Sequence, residues 1–98
     1  MADFRITPRA REDLRAIGRY TLRVWGRRQR DIYLRELDRR FQWLADNPRL
    51  GKHRPDIHEG YYSFLQGAHL VFYLIREGRI DIIGVPHQNM DIEGYFET

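Results

Sequence analysis

The sequence predicts an α+β fold in which a helical hairpin covers one face of a small antiparallel sheet. Between residues 8 and 46, apolar side chains recur every three to four positions, which is typical of helices, and Gly26 interrupts the pattern. After residue 60 the apolar residues form three short runs separated by turn residues, which is typical of strands. A chain of 98 residues is long enough for one core, so we expect a single domain over residues 1–98.

The chain is expected to begin with a short strand that leads directly into a helix. Residues 3–7 alternate apolar and polar side chains, with Phe4 and Ile6 on one side. Thr7 followed by Pro8 then marks a helix start, because threonine caps a first turn and proline fits the first helical position.

Two helices separated by a very short break are expected next. The first runs from about residue 8 to 24 and the second from about residue 27 to 46, where Asn47-Pro48 ends it. A break this short makes the pair an antiparallel hairpin. The predicted core face comprises Ala10, Leu14, Ile17, Thr21, Val24 and Trp25 in the first helix and Tyr33, Leu34, Leu37, Phe41, Leu44 and Ala45 in the second.

The second half of the chain is expected to form a three-stranded meander. Residues 49–60 are predicted to be a loop, and the strands to be Tyr61–Gln66, His69–Ile75 and Ile80–Val85. A tail without assigned structure, from residue 87 to 98, follows.

The middle strand is apolar on both faces, which is typical of a strand buried on both sides. Because one helical hairpin covers only one face, we expect the other face to be partly bare and available to a partner. The alternative is that side chains and the tail cover it. The two candidate faces carry Leu70, Phe72 and Leu74, or Val71, Tyr73 and Ile75.

Arginine accounts for 16 of the 17 basic residues, and charge is uneven along the chain. Residues 1–40 carry 12 arginines and 6 acidic residues, whereas residues 41–98 carry 4 arginines, Lys52 and 8 acidic residues. Because guanidinium groups bind carboxylates and phosphates in a planar fork, this composition favours an anionic partner. A GC-rich genome, in which arginine codons are frequent, explains the composition equally well.

Four arginines form a row along the first helix, because Arg11, Arg15, Arg19 and Arg23 are each four residues apart. Glu12 can pair with Arg15, but neither Arg19 nor Arg23 has an acidic residue three or four positions away. Two interpretations stay open. The row is a solvated face, or Arg15, Arg19 and Arg23 bind an acidic partner.

Several classes of function lack their sequence signals. The chain has no cysteine, no His or carboxylate set with metal-ligand spacing, and no glycine-rich phosphate loop, so we expect neither a metal nor a cofactor. It also has no long apolar run and no charged-then-apolar leader, so we expect a cytoplasmic protein without a membrane partner.

Histidines and cations are scattered over the second half of the chain. Cleavage of RNA by general acid–base catalysis needs a titratable group beside a phosphate clamp. If the protein is an enzyme, the catalytic candidates are His87, Arg54 and Lys52. The cluster Lys52-His53-Arg54 is more typical of a solvated loop than of an active site, and His87 stands alone in the sequence.

Six short motifs occur in an order that resembles the ParE toxins of bacterial type II toxin–antitoxin systems, within the RelE/ParE superfamily. The resemblance covers nearly the whole chain. The motifs are Ile6-Thr7-Pro8, Tyr20 to Gly26, Leu44 to Gly51, Gly60 to Phe64, Val71-Phe72-Tyr73 and His87 to Asp91.

This resemblance implies a toxin that blocks replication by binding DNA gyrase, without chemistry of its own. It also implies a ParD-like antitoxin whose acidic C-terminal segment wraps the toxin and whose N-terminal half binds operator DNA, so that this chain meets operator DNA only indirectly. An acidic and amphipathic partner fits the arginine row and a free sheet face. The residues expected to bind the antitoxin are Arg15, Arg19, Arg23, Ile32, Trp43, Tyr62 and Phe64.

The alternative function is that of the RelE branch, which has the same fold and cleaves mRNA on the ribosome. Such sites use several Lys and Arg residues, and many relatives carry Arg at or near the positions of Tyr62, Gly84 and Asn89. Since these three residues are uncharged here, we favour the branch that acts by binding. The same departures leave a third interpretation open, an operon partner that has lost toxicity.

Overall fold

The computed structural model describes residues 2–97 as three helices and a five-stranded sheet. This arrangement confirms the predicted α+β class. The strands are β1 (Asp3–Ile6), β2 (Lys52–His53), β3 (Tyr61–Gln66), β4 (His69–Arg76) and β5 (Arg79–Gly84), and the helices are α1 (Pro8–Trp25), α2 (Arg27–Asp46) and α3 (Ile92–Glu97), with a 3-10 turn at Pro48–Leu50.

The strands lie in the order β1-β5-β4-β3-β2. The meander β3-β4-β5 is antiparallel as predicted, and its hairpins turn at Gly67 and Gly78, both with positive φ. The N-terminal strand β1 pairs in parallel with β5, so that the first and last strands of the chain are neighbours. Since β1 and β5 are far apart in sequence, no local sequence pattern predicts this pairing.

The helices begin and end where the local signals place them. Thr7 caps α1 by accepting a hydrogen bond at its Oγ1 from the backbone N–H of Ala10, at 3.3 Å. Gly26 separates the helices with a φ of 90°, a left-handed conformation that glycine adopts without strain. Its N–H also donates to the carbonyl of Leu22, at 3.1 Å, which closes the last turn of α1.

The core lies between the helical hairpin and one face of the sheet. Tyr73 is its largest member, and its hydroxyl donates to the carbonyl of Pro48 at 2.7 Å while it accepts from the N–H of Gly51 at 3.1 Å. Because these bonds satisfy the hydroxyl, a tyrosine can be fully buried there. The buried apolar residues around it are Ala10, Ile17, Leu37, Phe41, Leu44, Ala45, Val71, Ile80, Ile82 and Val85.

Two residues assigned to the core face of α1 are exposed instead. Val24 is 46% exposed and Trp25 is 67% exposed. A groove, rather than a strand, lies beneath the last turn of α1, and Trp25 forms part of its rim. The predicted helical period holds for the first part of α1, where Ala10, Ile17 and Thr21 are buried, but the core ends before the helix does.

The predicted loop and tail both contain regular structure. Lys52 and His53 pair with Ser63 and Tyr62 as an edge strand within the stretch expected to be a loop. The tail, for which the sequence predicts no regular structure, forms α3. Thr98 lies outside the described residues.

The sheet face opposite the hairpin is not bare at its centre, contrary to the first expectation. Phe72 is fully buried there, because Phe96 of α3 packs edge-on against it with ring centroids 4.9 Å apart. The guanidinium of Arg54 lies over the same ring, 5.5 Å from its centroid. Leu70 and Leu74 on this face are half-buried. The alternative, that side chains and the tail cover this face, is the one that holds.

Candidate protein-binding surface

The outer side of the helical hairpin carries a cleft between α1 and α2, which we call the arginine groove. Its volume is about 720 Å³. Leu14, Leu22 and Leu34 supply apolar side chains to it, while Arg11, Arg15 and Arg19 stand on its α1 side. The other lining residues are Ile6, Gly18, Arg30, Asp31, Asp38 and Phe41.

Two arginines of the row share one carboxylate. Glu12 binds Arg15 at 3.1 Å through Oε2 and Arg19 at 3.6 Å through Oε1. The sequence rule of three or four residues missed the second pair, because Glu12 and Arg19 are seven residues, or two helical turns, apart. Arg23 lies instead over the ring of Tyr20, with its guanidinium carbon 5.6 Å from the ring centroid. All these side chains are solvent-exposed, so each contact contributes at most about 1 kcal/mol.

Trp43 and Phe64 come together at the outer edge of the sheet, although they are far apart in sequence. Their rings pack edge to face with centroids 5.2 Å apart. The guanidinium of Arg40 lies over both rings, at 4.6 and 4.8 Å, and donates through Nε to the side chain of Gln66 at 2.8 Å. We call these four residues the Trp43 cluster.

Tyr62 lies two residues before Phe64 and on the same, hairpin-facing side of the sheet. It stacks between Tyr73, at 5.7 Å, and His53, at 5.0 Å. Arg49 donates to its hydroxyl at 3.4 Å. A cation from the 3-10 turn therefore stands beside Tyr62.

Ile32 is half-buried on α2 and lies apart from the Trp43 cluster. It precedes Trp43 by eleven residues, which is about 16 Å along the helix axis. Of the seven residues expected to bind an antitoxin, the structure thus brings Arg15 and Arg19 into one groove and Trp43 and Phe64 into one cluster. Arg23, Ile32 and Tyr62 lie outside both.

The three candidate catalytic residues do not converge. His87 bridges to His69, whose ring contacts Tyr33 of α2, so this pair lies on the hairpin side of the sheet. Arg54 lies over Phe72 on the opposite face and is engaged by Asp56 at 3.1 Å and by Ser63 at 3.3 Å. Its hydrogen bonds hold the pKa of the Asp56 carboxyl below the usual value. Lys52 is exposed on the edge strand β2.

His87 belongs to a second groove, which we call the histidine groove. It has a volume of about 870 Å³ and runs beneath the second half of α1 toward the segment that follows β5. His69 forms part of its wall, and burial together with the neighbouring His87 lowers the pKa of His69. The other lining residues are Asp13, Ala16, Ile17, Tyr20, Thr21, Trp25, Gln29, Tyr33, Ala68, Val85, Pro86, Met90 and Tyr95.

Contacts of α3 account for one of the departures from the family pattern. The ring of Tyr95 lies directly on Gly84, where an added Cβ would meet the Tyr95 hydroxyl at 2.5 Å. That hydroxyl donates to the carboxylate of Asp13, which also accepts from the N–H of Val85 at 2.8 Å. A side chain at position 84 would therefore force the Tyr95 ring to move.

Within residues 2–97, no helix is long and apolar enough to span a bilayer. The same residues contain no group of three or more His, Asp or Glu side chains that could hold a metal ion.

Comparison with known proteins gives consistent matches over most of the chain. The sequence model described as "ParE toxin of type II toxin-antitoxin system, parDE" matches residues 4–92. Toxin ParE1 of Mycobacterium tuberculosis H37Rv is 38% identical over 89 residues, which are 90% of this chain and 91% of that protein. Toxin ParE1 of Caulobacter vibrioides is 34% identical over 95 residues, or 97% and 98% of the two chains.

A solved structure shares the fold. It is described as the chromosomal ParDE TA system from P. aeruginosa, and the two structures align with a TM-score of 0.76. The alignment covers 89% of this chain and 96% of that one, at 17% sequence identity.

Proposed function

The chain belongs to the ParE toxin family of type II toxin–antitoxin systems, and we propose that it inhibits DNA gyrase by binding and is neutralised by a ParD-like antitoxin. The observation that carries the antitoxin half of this proposal is the arginine groove. Gyrase is the target that membership of the family implies.

An acidic amphipathic segment fits the arginine groove in both charge and polarity. Arg15 and Arg19 share the single carboxylate of Glu12, so both guanidinium groups can still bind carboxylates of a partner. Exposed ion pairs contribute at most about 1 kcal/mol each, which makes them a source of orientation and fast association more than of affinity. The apolar surface of Leu14, Leu22 and Leu34 supplies area that a partner's apolar face can bury.

The Trp43 cluster extends the proposed antitoxin surface beyond the hairpin. Tryptophan and arginine are enriched among the residues that contribute most to protein interfaces. Trp43, Phe64 and Arg40 form a compact, half-buried group, so a partner side chain can pack on them without reordering the toxin. Tyr62, on the same side of the sheet as Phe64, completes the proposed set with Ile32 and Arg23, which lie apart from this cluster.

The separation of His87 from Arg54 supports action by binding rather than by catalysis. General acid–base cleavage of a phosphodiester needs the base and the cation within hydrogen-bond reach of one phosphate. Here the two side chains lie on opposite faces of the sheet, and Asp56 engages the guanidinium. We therefore propose that the toxin has no nuclease activity.

A ParD partner is proposed by analogy with the P. aeruginosa structure, whose description names a ParDE system. The antitoxin would bring the toxin to operator DNA, since the toxin's net charge is only +3.

The direct test is a supercoiling and cleavage assay with purified gyrase, refolded toxin and the antitoxin encoded beside it. We expect loss of supercoiling or accumulation of cleaved DNA, and reversal of either effect by antitoxin. A toxin that stops cell growth but leaves gyrase unaffected would contradict the proposed target. A toxin that neither stops growth nor affects gyrase would contradict the proposed activity altogether.

A further inference from the structure

The histidine groove differs chemically from the rest of this surface. Although 32% of the chain is charged, Asp13 is the only Asp, Glu, Lys or Arg among residues 2–97 that lines the groove. That carboxylate accepts hydrogen bonds from the N–H of Val85 and the hydroxyl of Tyr95. Among the described residues, the groove is therefore lined by one carboxylate, held by two hydrogen-bond donors, and by no lysine or arginine.

The size and depth of the histidine groove are those of a small-molecule site. Its volume of about 870 Å³ falls within the usual range for pockets that hold organic ligands, roughly 300 to 1,000 Å³. Ile17, Thr21 and Pro86 line it and are themselves buried, so the floor is recessed. Tyr20 and Trp25 are exposed at the rim and offer aromatic faces to a ligand.

Two histidines, His69 and His87, line the groove side by side. The Nδ1 atom of His87 accepts a hydrogen bond from the backbone N–H of Asn89 at 3.1 Å, so the neutral ring carries its proton on Nε2. Within residues 2–97, no hydrogen-bond partner is found for this Nε2–H. The Nδ1 atom of His69 is held by the Tyr33 hydroxyl at 2.7 Å, and the two histidine rings lie 5.4 Å apart.

We propose that the histidine groove binds a small amphiphilic carboxylic acid, whose aryl or alkyl chain lies along α1 and whose carboxylate accepts a hydrogen bond from Nε2–H of His87. An acid fits better than a neutral acceptor for two reasons. Hydrogen bonds to a charged acceptor are roughly twice as strong as neutral ones. Arg23, whose guanidinium lies over Tyr20 at the rim, also favours an anion.

This assignment is independent of gyrase and of the antitoxin, so its test uses neither. The probes are 4-phenylbutyrate and its matched alcohol, 4-phenylbutan-1-ol, titrated into the full-length ¹⁵N-labelled toxin and followed by amide shifts. We expect saturable shifts confined to the residues of the groove. We expect the acid to bind about tenfold more tightly than the alcohol.

Two pairs of variants distinguish specific binding of the acid from nonspecific hydrophobic binding. His87→Leu removes the donor and should abolish the preference for the acid, whereas His87→Gln keeps an N–H donor and should retain it. Ala16, an exposed residue on the α1 wall, gives the second pair. Ala16→Glu should weaken binding of the acid severalfold and spare the alcohol, and Ala16→Gln should change neither.

Three results would overturn the assignment. They are the absence of saturation in the millimolar range, equal binding of acid and alcohol to the unmodified toxin, and a preference for the acid that persists in His87→Leu. The amide spectra also report whether each variant is folded, so a loss of binding cannot be confused with a loss of structure.

Discussion

Phe96 of α3 packs edge-on against Phe72 at the centre of the sheet, with ring centroids 4.9 Å apart. This contact buries a face of the sheet that a helical hairpin alone leaves open. The neighbouring Tyr95 connects α3 to α1. The guanidinium carbon of Arg9 lies 4.0 Å from the centroid of the Tyr95 ring, and Arg9 donates to the Tyr95 carbonyl. The α3 helix therefore packs against the sheet and against α1.

Replacing Phe96 by alanine should lower the free energy of unfolding by about 2 kcal/mol, the value for burial of much of one aromatic side chain. Urea denaturation of the purified toxin measures this change. Glu97→Ala is the matched control, since Glu97 is exposed in the same helix and should change stability by less than about 0.5 kcal/mol. Equal stability of both variants and the unmodified toxin would show that α3 does not contribute to the core.

Reversing the charge of Arg19 and Arg23 to glutamate should weaken antitoxin binding severalfold and make it less sensitive to salt. The reason is that both changes remove cations and add repulsion where acidic side chains are proposed to dock. The variant should still inhibit gyrase but need more antitoxin for neutralisation. Affinity measured at two salt concentrations checks the prediction.

The control for this experiment is the double change Arg35→Glu and Arg39→Glu. Both residues are exposed on α2 and neither lines the arginine groove, so this variant has the same net charge as the first. If both double variants lose the same affinity, the effect comes from net charge and the arginine groove is not the binding site.

Gly18 can be replaced by alanine with a gain in stability. It lies inside α1, and an added Cβ would stand 3.5 Å from Cδ1 of Leu34, an ordinary contact distance. Alanine in a helix interior is more favourable than glycine by roughly 0.5–1 kcal/mol. We therefore expect Gly18→Ala to raise the thermal unfolding midpoint by a few degrees.

Gly67→Ala is the contrasting case, and it should destabilise the fold. Gly67 has a φ of 59° in the β3–β4 turn, and a Cβ there would lie 2.7 Å from the ring of Tyr33. Thermal unfolding of the two variants in parallel tests both contacts. A Gly18→Ala variant with a lowered midpoint would mean that α1 and α2 pack more closely than this structure has them.

Replacing His87 by alanine should leave toxicity largely intact, because His87 and Arg54 lie on opposite faces of the sheet. Growth arrest after induced expression, together with mRNA integrity on purified ribosomes, measures the effect. Loss of toxicity with loss of mRNA cleavage would instead support the ribosome-dependent nuclease. Abundance of the folded variant must be checked in parallel, since His87 also pairs with His69 through the backbone.

Stability should fall as the pH rises from about 10 to about 12. Burial raises the pKa of Tyr73 from 10.0 to about 12, so above pH 10 the unfolded chain releases a proton that the folded chain retains. The contribution of Tyr73 is complete below pH 10 and is lost as pH approaches 12. Burial raises the pKa of Tyr33 and Tyr95 as well, and both add to the same trend.

The variant Tyr73→Phe isolates the contribution of Tyr73 to this loss of stability at high pH. We expect this variant to be less stable at neutral pH, because it lacks the bonds to Pro48 and Gly51, yet to lose stability less steeply above pH 10. The slope should decrease by up to about 1.4 kcal/mol per pH unit, the value for one proton. If the free energy of unfolding falls with pH equally steeply in the variant and in the unmodified toxin, the Tyr73 hydroxyl has the same pKa in the folded and the unfolded chain.

The helices and their boundaries could be predicted from the sequence because their signals act over a few residues. Pro8 begins α1, Gly26 separates the helices with its positive φ, and Asn47 followed by Pro48 ends α2. The strands of the meander follow from apolar runs and glycine turns for the same reason. These local rules also yielded the α+β class.

The candidate site was only partly accessible to sequence reasoning, because its contacts join residues that are far apart in the chain. The row of arginines follows from helical spacing alone. The pairing of Trp43 with Phe64 and the bond between Glu12 and Arg19 do not, since no pattern of three or four residues includes them.

By itself, the sequence determined the helical hairpin, the meander, the arginine row and the resemblance to the ParE toxins. Only the tertiary structure decided that β1 lies beside β5, that α3 covers Phe72, and that Trp25 borders a groove. It alone also placed His87 and Arg54 on opposite faces. The physical reason is that packing and strand pairing depend on where distant segments meet, which local propensity and periodicity do not encode.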